Sequence, residues 1–224
     1  MIFLYYFLKG AISLRTNYKT VKGHGEHEIV IQKSRFIAHV NRAESEEEAQ
    51  SFIQQIKKQH WNATHNCSAY LIGEHNHIQK ANDDGEPSGT AGVPILEVLK
   101  KRDLCDTVVV ITRYFGGIKL GAGGLIRAYG RATSEGLDAT GIVERKLMST
   151  LITTIDYTWL GKVENELRAS TYLLKDIHYL DQVKIETHVD YGREEEFTGW
   201  MTEITNGQAH IEKGEEVFLE IDLK

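Results

Sequence analysis

Apolar and polar positions along the chain alternate in blocks that assign most of its elements. Between residues 28 and 40, Ile29, Ile31, Phe36 and Ile37 mark a strand region. Ser45 and Glu48 then form a capping-box pattern, in which each side chain satisfies a free backbone N–H at a helix start. Ala49, Phe52, Ile53 and Ile56 follow at helical spacing. Residues 67–72 suit a strand. Residues 83–92 read as a loop, with Pro94 at the first position of a short helix that runs to about residue 102. The β-branched run 107–111 predicts a strand buried on both faces. A second glycine-rich loop, 116–124, leads into a helix over 125–137.

Downstream the rhythm changes. Leu151 to Ile155 suits a strand, and Leu160, Val163 and Leu167 mark a helix. Residues 172–180 and 183–189 read as two strands around Asp181 and Gln182. Phe197, Trp200, Met201 and Ile204 fall at i, i+3, i+4 and i+7 of an amphipathic helix. Val217, Leu219 and Ile221 alternate as a final strand. That order is βαββαβ, a ferredoxin-like arrangement. The expected layout is an extension over 1–17, a first domain over 18–147 and a second over 148–224.

Composition narrows the class. A chain of 224 residues that is 41% hydrophobic and 26% charged is ordinary for packed globular domains. The two cysteines, Cys67 and Cys105, make no disulfide framework, so a reducing compartment, the cytoplasm, is expected. The apolar run 1–8 is far shorter than the ~20 residues of a membrane span, and no membrane partner is implied. Net charge is −6 but uneven: residues 1–148 carry +3 and residues 149–224 carry −9. A polyanion would meet the first half.

Two segments carry candidate chemistry. The first, 83–92, holds Asp83, Asp84 and Glu86 with Ser88 and Thr90 before a helix start. Such a start favours an anion, and three carboxylates could instead hold Mg²⁺. Equally, acids, glycine and serine can simply cap the helix and shape the turn. The second segment holds Arg113, Gly116, Gly117, Lys119, Gly121, Gly123, Gly124, Arg127 and Arg131, with no acid between residues 107 and 131. Arg127 and Arg131 lie one turn apart on one helix face. Tyr114, Phe115 and Tyr129 can stack bases or fill the core.

Familiar signatures fail. Ala122 stands where a P-loop needs lysine, and Ile126 where a dinucleotide fingerprint needs glycine. His60, His65, Cys67, His75 and His77 cluster, but at no zinc spacing. No nucleophile elbow is present, and no cofactor is implied.

The two loops, with Ala63-Thr64-His65, Pro94, Leu125 and Arg127-Ala128-Tyr129, resemble the IMPACT (YigZ-type) family; Lys33-Ser34-Arg35-Phe36-Ile37 fits its opening strand. The resemblance implies an α+β fold: an N-terminal domain like ribosomal protein S5 domain 2, a sheet covered by helices, followed by a ferredoxin-like domain. That pair resembles domains IV and V of elongation factor G. It points to a translation-associated factor that binds RNA or the ribosome, with Lys33, Arg35, Arg113, Lys119, Arg127 and Arg131 touching phosphates and the glycines allowing close approach. Eukaryotic members of the family regulate translation through a protein partner, using a further N-terminal domain. Two alternatives stand beside the RNA reading. One is a protein-interaction module with no nucleic acid. The other is a Mg-dependent enzyme on a phosphorylated substrate, built on Asp83, Asp84 and Glu86 with His65 nearby.

Overall fold

The computed structural model describes residues 15–223. One compact unit is built on Tyr18–Glu144 and the other on Arg145–Glu220. Most of the expected extension, 1–14, lies outside the described residues. Its last residues are strand-paired: the Leu147 N–H donates to the Thr16 carbonyl at 2.6 Å, and β1 (Asn17–Val21) begins one residue later.

In the first unit β2 (Gly25–Ile31) and β3 (Ser34–Arg42) form a hairpin. Then come α1 (Glu46–Gln59), β4 (His65–Ile72), β5 (Ile78–Asn82), α2 (Gly92–Lys101), β6 (Thr107–Tyr114) and α3 (Gly121–Thr140). The sheet order is β2-β3-β6-β4-β5, with every neighbour antiparallel. Side-chain alternation sends the two faces to different cores. Phe36, Ala38, Cys67, Ala69, Val109 and Ile111 pack under α2 and α3. Tyr70, Ile72, Val108 and Val110 pack under Phe52, Ile53 and Ile56 of α1. Ser45 caps α1 as expected, its side chain accepting the Glu48 N–H.

The second unit completes a βαββαβ, ferredoxin-like fold with β7 (Ile142–Ile155), α4 (Tyr157–Ala169), β8 (Leu173–Tyr179), β9 (Val183–Asp190), α5 (Glu194–Ile204) and β10 (His210–Asp222). β9 lies between β7 and β8, and β1 and β10 also pair with β7. Leu151, Ile155, Val183, Ile185 and Val189 meet Val163 and Leu167 of α4 and Phe197 and Met201 of α5 in one core.

Four expectations are corrected. The strand region 28–40 is a hairpin whose turn residues, Gln32 and Lys33, have φ of 44° and 66°. Turns of that type usually advertise themselves with asparagine or glycine, which are absent here. Helix α3 starts at Gly121, so half of the second glycine loop is helical; the φ of +70° at Gly121 is one that glycine adopts without penalty. Pro94 is the third residue of α2, still within the turn whose N–H groups lack helical partners. β5, a mostly exposed edge strand, carries no apolar alternation and was not expected at all.

Candidate functional site

One end of the first sheet gathers the β2–β3 turn, the α1–β4 connection, the β5–α2 loop and the β6–α3 loop. The register sets this: His65 opposes Arg113, and Arg35 opposes Tyr114. The two candidate segments therefore converge, and a buried ion pair joins them. Arg113 Nη1 donates to Glu86 Oε1 at 2.5 Å, with both side chains almost wholly enclosed. The Tyr129 hydroxyl donates to the same oxygen at 2.9 Å. Burial, with Cys67 and Glu86 close by, raises the Tyr129 phenol well above its ordinary range, so it stays a donor.

The loop acids are engaged in holding the loop. Asp83 Oδ1 accepts the N–H groups of Ala91 and Gly92 at 3.0 and 2.8 Å, and Oδ2 accepts that of Gly89 at 2.8 Å. Burial works to raise its pKa, but the donors from Gly89, Gly92 and Ala91 prevail and keep Asp83 below the usual carboxylate range. Asp84 accepts from Lys57 Nζ and from the Asn66 N–H, each at 2.6 Å. His65 Nδ1 must donate to the Asp84 carbonyl at 2.8 Å, because a carbonyl only accepts; this turns Nε2 toward Glu86, 3.9 Å away. Thr90 Oγ1 donates to the Pro87 carbonyl at 2.6 Å, and Ser88 is exposed. The capping alternative is thus the arrangement found for Asp83. Among the described residues no three His, Cys, Asp or Glu side chains are grouped to hold a metal ion.

The Cys67 thiol donates to the Asp83 carbonyl at 3.0 Å. Burial, with nearby carboxylates, pushes its pKa up to about 12, so it is a core thiol rather than a nucleophile.

The basic residues divide. Arg113 is corrected from phosphate contact to core: it is 5% exposed, bound to Glu86 and stacked between the rings of Phe36 and Phe115 at 5.3 and 5.6 Å. Arg35 is exposed but grips Glu28 through two bonds of 2.9 and 2.7 Å and lies over Tyr114. Strand alternation also puts it on the α1 side of the sheet, away from α3. Arg131 pairs with Glu135 at 2.6 Å. Lys33, Lys119 and Arg127 are exposed and have no hydrogen-bond or ion-pair partner among the described residues. Arg127 and Arg131, with Lys101, Arg102, Val98 and Glu135, line a groove of about 590 Å³ between α2 and α3.

The glycines have distinct tasks. A Cβ on Gly116 would sit 2.1 Å from the Lys33 carbonyl oxygen, so glycine lets the β6–α3 loop pack on the hairpin turn. The Gly116 N–H also donates to Ser34 Oγ at 3.2 Å. Gly117, Gly121 and Gly123 are exposed, and the start of α3 has no side-chain cap and no acid in its first turn. Of the aromatic residues in this segment, Tyr129 is core, Tyr114 half-buried and Phe115 45% exposed. Sequence reasoning missed Trp61, just past α1, whose side chain is 82% exposed. Its signal was present: Trp61 lies off the stripe of Ala49, Phe52, Ile53 and Ile56 and follows Lys57 and Lys58.

The architecture defines a class: a two-domain α+β protein in which a helix-covered antiparallel sheet bearing a basic, glycine-rich end precedes a ferredoxin-like domain. The chain belongs to the IMPACT family. Residues 32–137 match the Impact N-terminal domain and residues 153–208 a domain of unknown function (DUF1949). It is 68% identical to "IMPACT family member YvyE" of Bacillus subtilis over 204 residues, 91% of this chain and 94% of that protein. It is 29% identical to "IMPACT family member YigZ" of Escherichia coli over 183 residues, 81% and 90% of the two chains. "Protein IMPACT homolog" of Dictyostelium discoideum matches at 41% over 96 residues, 40% of this chain and 27% of that protein. A crystal structure of a hypothetical protein superposes with a TM-score of 0.57 at 26% identity, covering 88% of this chain and 97% of that one. Among the described residues no helix is long and apolar enough to cross a membrane.

Proposed function

We propose that this protein is a translation-associated factor that binds RNA, alone or within the ribosome, through the β6–α3 segment. The observation that carries this reading is a contrast between two helix starts. That of α2 is closed internally by Asp83, whereas that of α3 is glycine-rich, has no side-chain cap and is flanked by Lys33, Lys119 and Arg127, which are unpaired among the described residues. Free N–H groups, exposed glycine backbone and nearby cations match what a phosphate backbone needs. The neighbouring groove between α2 and α3 adds Lys101 beside Arg127, whereas its Arg131 and Arg102 are held by Glu135 and Asp138.

The test is a pair of proteins, the wild type and Lys119→Glu/Arg127→Glu, assayed against ribosomal RNA and purified ribosomal subunits at two salt concentrations. The wild type should bind with an affinity that falls steeply with salt. The variant should stay folded, bind weakly and lose about one unit of log–log salt slope per phosphate contact removed. A folded variant that binds RNA as the wild type does overturns this reading in favour of a protein-interaction surface.

A further inference from the structure

We propose that the ligand of this surface is single-stranded RNA, with unpaired bases stacked on Trp61 and Phe115. The proposal rests on the RNA reading above and adds which form of RNA is bound and by which side chains.

Trp61 is the largest exposed side chain at this end of the sheet, and no other ring packs on it among the described residues. Tryptophan, apolar over its faces and polar at its N–H, is enriched at contact surfaces. The Trp61 backbone is fixed. The His60 N–H closes α1 on the Ile56 carbonyl at 2.9 Å, and the Ala63 N–H bonds the His60 carbonyl at 3.0 Å. Tyr114 Oη lies 2.9 Å from His60 Nδ1 and 3.3 Å from Asn62 Oδ1. The Thr64 N–H donates to the Arg113 carbonyl at 2.9 Å, and the Phe115 N–H donates to Thr64 Oγ1 at 3.0 Å. The Trp61 loop and the Phe115 loop are thus fastened together. Phe115 is backed by the Arg113 guanidinium, itself fixed by Glu86, so the ring is held in place while still exposed.

Charge selects the occupant. Lys33, Lys58, Lys119 and Arg127 are exposed at this end. Of the acids nearby, Asp84 is paired with Lys57, Glu86 with Arg113 and Glu28 with Arg35, and Asp83 is enclosed by three backbone N–H groups. Aromatic faces beside cations are the combination that holds single strands, because every unpaired base offers a face to stack. In a duplex those faces are already stacked on one another, and shape and phosphates are read instead.

The experiment uses the full chain with an RNA strand of about twelve nucleotides, within the usual range of single-strand sites, and a duplex of equal length. Affinity is followed by anisotropy and by tryptophan fluorescence. Trp61→Ala and Phe115→Ala should each weaken single-strand binding on the order of tenfold or more. Phe115→Leu, which keeps an apolar contact for Arg113, should weaken it similarly while leaving the fold intact. Fluorescence quenching on binding should vanish in Trp61→Ala. Equal affinity for strand and duplex, with the aromatic variants unaffected, overturns this proposal and leaves the RNA reading standing. Failure of the wild type to bind either RNA overturns both.

Discussion

Replacing Glu86 by Gln removes the counter-charge of a guanidinium that cannot leave its charged state. Arg113 is 5% exposed, its one other polar contact is Ser34 Oγ at 3.5 Å, and its Nε has no partner. Breaking a buried pair from one side typically costs about 3–5 kcal/mol, and the upper half of that range is expected here. The reverse change, Arg113→Met, leaves a carboxylate that can escape by taking up a proton. Protonating a glutamate of ordinary pKa about 4.3 at pH 7 costs roughly 3.7 kcal/mol, which caps that part of the penalty. Arg113→Met should therefore destabilise less than Glu86→Gln does in urea titrations at pH 7, and the double variant, in which neither charge remains, should lie closer to wild type than Glu86→Gln. Hydrogen exchange of the 107–114 peptide reports opening of this unit separately from the second. A coupling below about 0.5 kcal/mol in the double-mutant cycle refutes the structural role. An Arg113→Met protein as stable as wild type but unable to bind RNA would restore Arg113 to the phosphate set.

Three further outcomes follow from the same geometry. His39 is 1% exposed, and burial, then His60 and His24, lowers its pKa to about 4, while Glu26, 3.3 Å away, is over half exposed and screened by water. The unfolded imidazole binds protons near pH 6.5, so stability present above that value is lost as pH falls. Wild type should lose about 2 kcal/mol more than His39→Leu between pH 8 and pH 5 in urea titrations, and parallel curves would contradict the assignment. Asp83→Ala strips the partners from three N–H groups and should destabilise by about 2 kcal/mol or more, with faster exchange confined first to residues 89–92; uniform exchange would argue against a local cap. Gly116→Ala places a methyl against the Lys33 carbonyl and should destabilise by about 1–3 kcal/mol, shifting amide signals of the β2–β3 turn, which would stay unmoved if the contact were loose.

Periodicity made the second unit legible where the apolar stripe is clean, in β9, α4 and α5, whereas β7 begins nine residues before the expected Leu151 and β10 is mostly exposed. In the first unit it failed where geometry came without a residue signal. Gln32 and Lys33 turn the hairpin with positive φ that neither residue type suggests, and β5 is an edge strand whose side chains are mostly in water. The site was half legible for a related reason. Charge composition alone cannot separate Arg113 from Lys119, but parity can. Val109 and Ile111 face the α2–α3 core, so a strand running to Tyr114 must bury Arg113 on that side. The β-branched run alone ends the strand at Ile111, three residues short of Tyr114, and so leaves the arginine free. Its partner was out of reach as well. Glu86 and Arg113 are 27 residues apart and meet only because β4 pairs with β6 while β5 returns along the outer edge. A loop acid that looked like a metal ligand and an arginine that looked like a phosphate ligand thus satisfy each other. Their pairing supports the Phe115 ring from beneath and neutralises the Glu86 carboxylate behind the exposed cations. On the RNA reading proposed above, the exposed cations meet the ligand while the buried pair settles the charges behind them.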